Sequence, residues 1–453
     1  MSFHAALSSA LALVLTFTAS VARAADAPWR EILGPAQGLL PAPQAKVEWR
    51  SDLAAAREES RRTNRPLLVT FRCLPCKQCS DFDAEVLEGG ERLDPLLARF
   101  VTVRLVSASD VDLRLFPMRE FQDFDLSWWG WFLAPDGRIY GTFGGRDHSS
   151  DASRVSSEAL ARTLERVLAH HYDPRRAAWD VDGPAPDLSG APQTPDKLPG
   201  YASWSKLTDR GRAEGSCLHC HEVGEIVRQG EVDAKRFDKS SDVYVWPLPE
   251  NAGLTLVRDD GLLVDAVAPG SAAAKLGMRK GDVLGAAAGR RLFSQTDFRA
   301  ALERAPKTTA TLELVWLRDG EPQHGALVLA DGWRKTVISW RKSIAEGTLG
   351  AHPGMAWFFP AKPDVRRKLA LPPKSLAIRP HFGPEPGWLA AEAGLTAADT
   401  IVDVNGQSPD LANREFLAWF RLTFEPGDTI RYRVLDARGV ERFVTFTAAA
   451  RGR

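Results

Sequence analysis

Pro66-Leu-Leu-Val-Thr-Phe71, followed by Cys73-x-x-Cys76-x-x-Cys79, is the stretch on which the fold turns. A short apolar run without a charge, bounded by a proline and a cysteine cluster, is the pattern of a strand buried on both faces, as in parallel sheets. Ahead of it, Leu53 to Asn64 reads as a polar helix rich in Ala and Arg, and behind it Asp81 to Leu87 reads as a second helix. Strands are expected at Phe100–Val106 and Trp131–Ala134, and Pro135-Asp136-Gly137 turns the latter into a hairpin with Arg138–Phe143. An amphipathic helix from Ser150 to His170, with Leu160, Leu164, Val167 and Leu168 on one face, closes an α/β unit spanning residues 47–172.

The chain's 5 cysteines fall into two clusters, this one and Cys217-Leu-His-Cys220-His221. A CxxC pair where a strand gives way to a helix has a chemical use. Backbone N–H groups and the helix dipole stabilise a thiolate at the first cysteine, lowering its pKa below the free value of about 8.5. That selects Cys76 as the attacking thiol, with Lys77 adding positive charge and Cys79, one turn on, placed to resolve a mixed disulfide. Cys73 is an auxiliary thiol. The run also begins like an iron–sulfur ligand set but lacks its fourth cysteine and following proline. A structural disulfide is the alternative.

Arg65-Pro-Leu-Leu-Val-Thr-Phe71, Cys76-Lys-Gln-Cys79, Asp83-Ala-Glu-Val86 and Trp131-Phe-Leu-Ala-Pro-Asp-Gly137 together resemble thioredoxin-like domains. The resemblance covers about a quarter of the chain and implies the same roles for Cys76 and Cys79. It departs at one point, since Ser127-Trp-Trp-Gly130 stands where such domains place a cis-proline opposite the active disulfide.

Cys217-Leu-His-Cys220-His221 has the spacing of c-type haem attachment, in which two thiols bond to the porphyrin and the next histidine ligates iron. At the chain's cysteine and histidine frequencies this pattern arises by chance in roughly one such chain in a thousand. Half a zinc site, which would need two further ligands, and a plain disulfide are the alternatives. The surrounding residues 173–250, with a Pro- and Gly-rich linker from Asp180 to Gly200, read as irregular and contain no Met. His352 and Met355 are candidate second iron ligands, ordinary loop roles being the alternative, and Met278 is expected to pack inside its own domain.

The C-terminal half carries a repeat at an offset of 117 residues, matching Gly277 with Gly394, Asp282 with Asp399, Gly289 with Gly406 and Asp319 with Asp436. Each copy reads as strand, short Ala-rich helix, strand, Gly turn, helix (Asp297–Arg304; Asn413–Phe420) and two strands (Thr311–Arg318; Thr429–Leu435). Gly253-Leu-Thr-Leu256, Ala268-Pro-Gly-Ser-Ala-Ala273 and Gly277-Met-Arg-Lys-Gly-Asp282 resemble a bacterial PDZ domain, residues 251–330. The resemblance implies that Gly253, Leu254 and Leu256 hold the C-terminus of an extended peptide. Residues 331–370 then connect to a degenerate PDZ-like copy at 371–449, which has Leu376-Ala-Ile-Arg-Pro380 in place of the Gly-Leu loop and reads equally as a packing module.

The expected fold is therefore multidomain: a thioredoxin-like α/β domain, an irregular CxxCH segment and two small β-rich PDZ-like domains. At 453 residues, two to four domains are expected. Lys plus Arg and Asp plus Glu number 58 each, so the basic field that draws nucleic acid is absent. The apolar run Ala5–Val21 before Ala22-Arg-Ala24 reads as a signal peptide, residues 1–24, although its first residues carry no Lys or Arg. An uncleaved anchor is the alternative, and no later segment is apolar enough to span. Export to a periplasm or cell surface, where disulfides persist, is expected. This order of domains resembles a family of thioredoxin-like/PDZ proteins, some of whose members carry selenocysteine in the CxxC region.

The expected function is thiol–disulfide exchange with protein thiols or disulfides, with a c-type haem and a peptide partner. A haem electron carrier or sensor, and a PDZ scaffold with structural cysteines, are the alternatives.

Overall fold

The computed structural model describes residues 28–44, 46–71, 77–109, 111–146, 156–183, 185–190, 193–208, 218–355, 357–380 and 387–450. They group into two compact bodies: residues 1–197, 217–220 and 244–336 in the first, and 198–216, 221–243 and 337–453 in the second. The expected signal peptide lies outside the described residues, and no described helix is long and apolar enough to cross a membrane.

The first body opens with β1 (Trp49–Arg50), α1 (Leu53–Thr63), β2 (Leu67–Phe71), α2 (Lys77–Glu88), β3 (Val101–Leu105), α3 (Met118–Phe121), β4 (Ser127–Leu133), β5 (Ile139–Arg146) and α4 (Ser157–His171). The sheet order is β1-β3-β2-β4-β5. β1, β3 and β2 run parallel, while β4 and β5 are antiparallel additions, with Phe71 opposite Trp129. All five residues of β2 are buried, as its unbroken apolar run requires in a central strand. Asp52 caps α1 by accepting from the Ala55 N–H, and Asn64 ends it in a left-handed turn at φ 49°. The α2 helix starts at Lys77, four residues before the expected Asp81, because its first turn is polar and gives no apolar period. The closing helix was expected from Ser150; its described part begins at Ser157, behind the Ser156 cap. β4 starts four residues before the expected Trp131, and all seven of its residues are buried.

Between the α/β unit and the repeats, the segment read as irregular holds α5 (Tyr201–Thr208) and α6 (Cys220–Asp233). Its apolar pattern is weak because α6 buries Glu222 and Glu225 beside Val223 and Ile226. A Cβ on Gly200 would lie 2.1 Å from the Ile226 carbonyl and 2.3 Å from the Gly230 nitrogen, so two backbones meet there.

The first repeat comprises β6 (Leu254–Leu256), β7 (Val264–Val267), α7 (Ala272–Leu276), β8 (Val283–Ala287), β9 (Arg290–Arg291), α8 (Gln295–Arg304), β10 (Ala310–Arg318) and β11 (Glu321–Leu329). Its core includes Leu254, Leu284, Phe298, Leu302, Trp316 and, as expected, Met278. Far from standing apart, it is fused to the α/β unit through α8, seven of whose ten residues are buried. Asp297 accepts the Thr142 N–H of β5 at 2.8 Å together with the N–H groups of Phe293 and Ser294, and the Ser294 hydroxyl donates to the Thr142 carbonyl. Arg299 reaches the buried Asp123 carboxylate at 2.5 Å.

The second repeat, in the second body, comprises β12 (Phe358–Pro360), β13 (Ile378–Pro380), α9 (Leu389–Glu392), β14 (Thr400–Val404), α10 (Asn413–Thr423), β15 (Thr429–Leu435) and β16 (Glu441–Thr447), in sheet order β12-β13-β14-β15-β16. It has its own Gly turn, but not at Leu376–Pro380. Gly354 (φ 77°) accepts the Ala390 N–H through its carbonyl and leads to β12, which pairs with β13 as β6 pairs with β7. Gly253 (φ 88°) does the same in the first copy with the Ala268 N–H. The helical turn Pro363–Lys368, inserted between β12 and β13, breaks the constant sequence offset and hides this equivalence.

Candidate functional sites

Cys73 and Cys76 lie outside the described residues, and Cys79 lies in the first turn of α2. The described surroundings are what β2, α2 and β4 bring together. β2 ends at Phe71 and α2 starts at Lys77, so Lys77, Gln78 and Cys79 open a helix that follows a fully buried central strand. One turn beyond Cys79, Phe82 packs edge-on against Trp128 of β4, their ring centroids 4.8 Å apart at 84°. Trp128 is fully buried with φ 56°, a left-handed conformation that a bulky residue adopts only at a cost of roughly 1–3 kcal/mol. Its carbonyl would sit 2.4 Å from a Cβ on residue 144, which is why glycine occupies that place on β5. The position where the resemblance expects a cis-proline thus holds a strained tryptophan, and no cis peptide occurs among the described residues. Sequence reading noted the missing proline but not this replacement, because nothing in the composition signals a left-handed tryptophan. Asp83, which the sequence offers only as part of the resemblance, is 1% exposed and pairs with Arg104 of β3 at 2.8 Å.

In the second cluster, Cys217 lies outside the described residues, and the buried Leu218 donates its N–H to the Ser109 hydroxyl at 3.2 Å. Cys220 is half-buried and opens α6, and the boundary between the two bodies falls between it and His221. His221 lines a cleft of about 290 Å³ inside the second body, near the lower end of the roughly 300–1,000 Å³ typical of ligand pockets. Its wall is built from Trp204 and Leu207 of α5, Glu225 of α6, His352, Trp388 and Arg421 of α10 among others. Glu225 is buried and accepts the Trp204 indole N–H at 3.1 Å and the Thr348 hydroxyl at 3.4 Å. Burial lowers Arg421 to about 10, with Glu225 acting against the shift, so the guanidinium stays charged at neutral pH while donating to the carbonyls of Ala345 and Leu349. Of the two candidate iron ligands named from sequence, the structure brings His352 into the cleft with His221. Met355 is buried and is not part of that wall. Among the described residues, no group of three or more His, Cys, Asp or Glu is arranged to hold a metal ion.

In the Gly253–Leu256 loop expected to hold a peptide end, a Cβ on Gly253 would strike the Ser271 side chain at 2.1 Å. Leu254 is fully buried, Leu256 is half-buried, and β6 pairs only with β7 among the described residues. A third polar cluster, unforeseen from sequence, lies where α4, the linker and the first repeat meet. His170 is buried and engages Asp182 through Nε2 at 2.6 Å, while Arg291 donates to its Nδ1 at 3.1 Å. Burial lowers both His170 and His171 to about 4, so both are neutral at pH 7.

Compared with known proteins, residues 48–121 match the thioredoxin-like family, a stretch running from before β1 to the end of α3. No curated protein matches the chain.

Proposed function

We propose that this chain is an exported thiol–disulfide redox protein acting through Cys76 and Cys79. The observation that supports the reading is that Cys79 lies in the first turn of α2, the helix after the buried β2, in a domain whose residues 48–121 match the thioredoxin-like family. The Cys76 thiolate attacks one sulfur of a partner disulfide, forming a mixed disulfide and expelling the partner's other sulfur as a thiolate, which takes up a proton. Deprotonated Cys79 then attacks Cys76, the second partner thiol leaves, and the pair ends as a Cys76–Cys79 disulfide. Two electrons have passed to the partner. An external dithiol resets the pair, and the reverse sequence oxidises a partner dithiol. The first repeat would present the partner by receiving a peptide end at Gly253, Leu254 and Leu256. A reductase assay on a model disulfide tests this: Cys76→Ser abolishes turnover, and Cys79→Ser accumulates a trapped mixed disulfide. Full activity in Cys76→Ser overturns the reading.

A second element of the proposal is a c-type haem bonded to Cys217 and Cys220 and ligated by His221. Its support is the CxxCH spacing together with an aromatic-walled cleft at His221. His221 lines that cleft of about 290 Å³, whereas Cys220 is not part of its wall and Cys217 lies outside the described residues, so the reading rests on the spacing of the motif. When bound, the haem supplies one-electron transfer. The wall around His221 carries Trp204, Trp388 and Arg421 together with the carboxylates of Glu222, Glu225 and Glu346. An absorption spectrum after co-expression with haem-attachment machinery tests this part, with His221→Ala losing the ligand signature.

A further inference from the structure

The N-terminal end of α8 bonds to the outer edge of β5 much as a neighbouring strand would. Asp297 accepts the Thr142 N–H, the Ser294 hydroxyl donates to the Thr142 carbonyl, and the Thr296 hydroxyl donates to the Gly144 carbonyl at 3.1 Å. The first two bonds dock the repeat, and the third reaches further because of what Gly144 touches. On its inner edge β5 pairs with β4, with Trp129 opposite Gly144 and Ser127 opposite Arg146. Trp128 and Gly145 lie between these pairs, and both have positive φ, 56° and 112°. The space left for a Cβ on Gly144 is taken by the Trp128 carbonyl, so the two backbones are in close contact. The Trp128 ring in turn meets Phe143 of β5 edge-on at 6.1 Å and Phe82 of α2 at 4.8 Å. Phe82 lies one turn beyond Cys79 on that helix.

A bulky residue at φ 56° has a less strained alternative in the extended backbone of a strand, and the flanking pairs withhold it. Freeing Gly144 from Thr296 lets Trp128 relax towards that alternative and draws its ring off Phe82. We propose that Thr296 is a positioning residue for the exchange at Cys76 and Cys79, acting through Gly144 and Trp128, so that the first repeat tunes the redox pair. This rests on the exchange reading above. A less firmly held α2 lowers the effective concentration of Cys79 at Cys76, which weakens their disulfide and slows the attack of Cys79 on the mixed disulfide.

The test equilibrates the full chain with dithiothreitol redox buffers and reads the Cys76–Cys79 disulfide by alkylation and peptide mass, and it times the decay of the Cys76 mixed disulfide. Thr296→Val keeps the side chain's shape and loses the donor. It should lower the equilibrium constant for disulfide formation about 3- to 10-fold, the size of one hydrogen bond, and lengthen the life of the mixed disulfide. Thr296→Ser, which keeps the hydroxyl, should hold the wild-type constant. Arg166→Gln removes bonds from α4 to Asp260 and the Phe293 carbonyl, elsewhere between the same two units. It should lower the unfolding midpoint and leave the constant unchanged. An unchanged constant in Thr296→Val overturns the proposal, as does a fall in Thr296→Ser as large as in Thr296→Val. An equal fall in Arg166→Gln also overturns it, by making the effect one of stability alone. Wild-type turnover no greater than that of Cys76→Ser overturns the exchange reading itself, and this proposal with it, and is read separately in the reductase assay.

Discussion

The two repeats share a frame and use it differently. In each, an aspartate that is 1% exposed follows the short helix and accepts the backbone N–H three residues back: Asp282 from Arg279 and Asp399 from Thr396. Each pairs with an arginine, but Arg318 comes from β10 and Arg442 from β16. The larger difference is in the long helix. In the second copy, α10 packs aromatic side chains within its own body, Phe416 against Phe358 at 5.1 Å and Phe420 against Phe424 at 4.8 Å. In the first, α8 sends Asp297 and Arg299 into the α/β unit. One repeat packs with the other elements of the second body, Arg421 of α10 donating to Ala345 and Leu349, and the other is part of the thioredoxin-like body. A helix surface can thus be converted from packing to docking with little change in the repeat signature, because that signature lies in turns and caps.

The sharpest way to break this comparison is to remove one arginine from each copy. Arg299→Ala leaves Asp123 charged and buried, which should lower stability by about 3–5 kcal/mol. In urea unfolding this appears as an early transition of the first body. An effect below 1 kcal/mol would mean that α8 is not docked as described.

The next effect is in pH. Because His170 and His171 titrate at about 4 in the folded chain against about 6.5 unfolded, the unfolded chain takes up protons first. Their contribution is complete above about pH 6.5 and is lost as pH falls towards about 4, with up to about 3 kcal/mol for each. Asp297 works in the opposite direction. Burial raises it to about 6, against three backbone N–H bonds that favour the carboxylate, so its contribution is complete below about pH 4 and is lost as pH rises through about 6. The two histidines outweigh the single carboxyl, so unfolding midpoints should rise with pH between about 4 and 6.5. Asp297→Asn should steepen that rise, and a flatter profile in the variant would contradict the assignment.

Gly141→Ala comes third. Its Cβ would sit 2.6 Å from the Asp297 carboxylate, so that carboxylate, held by three backbone N–H groups, must shift, at about 1–3 kcal/mol. Combining it with Asp297→Ala should cost less than the sum of the two changes, and strict additivity would show that the clash is absent. The smallest effect belongs to the second copy. The Arg442 side chain is 37% exposed, so Arg442→Ala should cost within about 1 kcal/mol.

Legibility followed the kind of information each feature carries. The β2 strand, the helix after the cysteines and the paired glycines and aspartates of the repeat were readable, because apolar runs, caps and positive-φ turns are local. The second Gly turn was not, since the helical turn Pro363–Lys368 displaced it from a constant offset. The strained Trp128 was not readable either, because the sequence marks only an absent proline. His352 was readable as a candidate, and its place beside His221 came from packing.

By itself, the sequence determined the thioredoxin-like sheet, the spacing of both cysteine motifs and the duplicated module, all of which rest on the periodicity and backbone freedom of neighbouring residues. The tertiary structure alone decided that the first repeat joins the α/β unit and that His221 and His352 share a cleft. These depend on contacts between residues more than a hundred positions apart, and a pattern of apolar and polar residues says that a side chain is buried without saying against what.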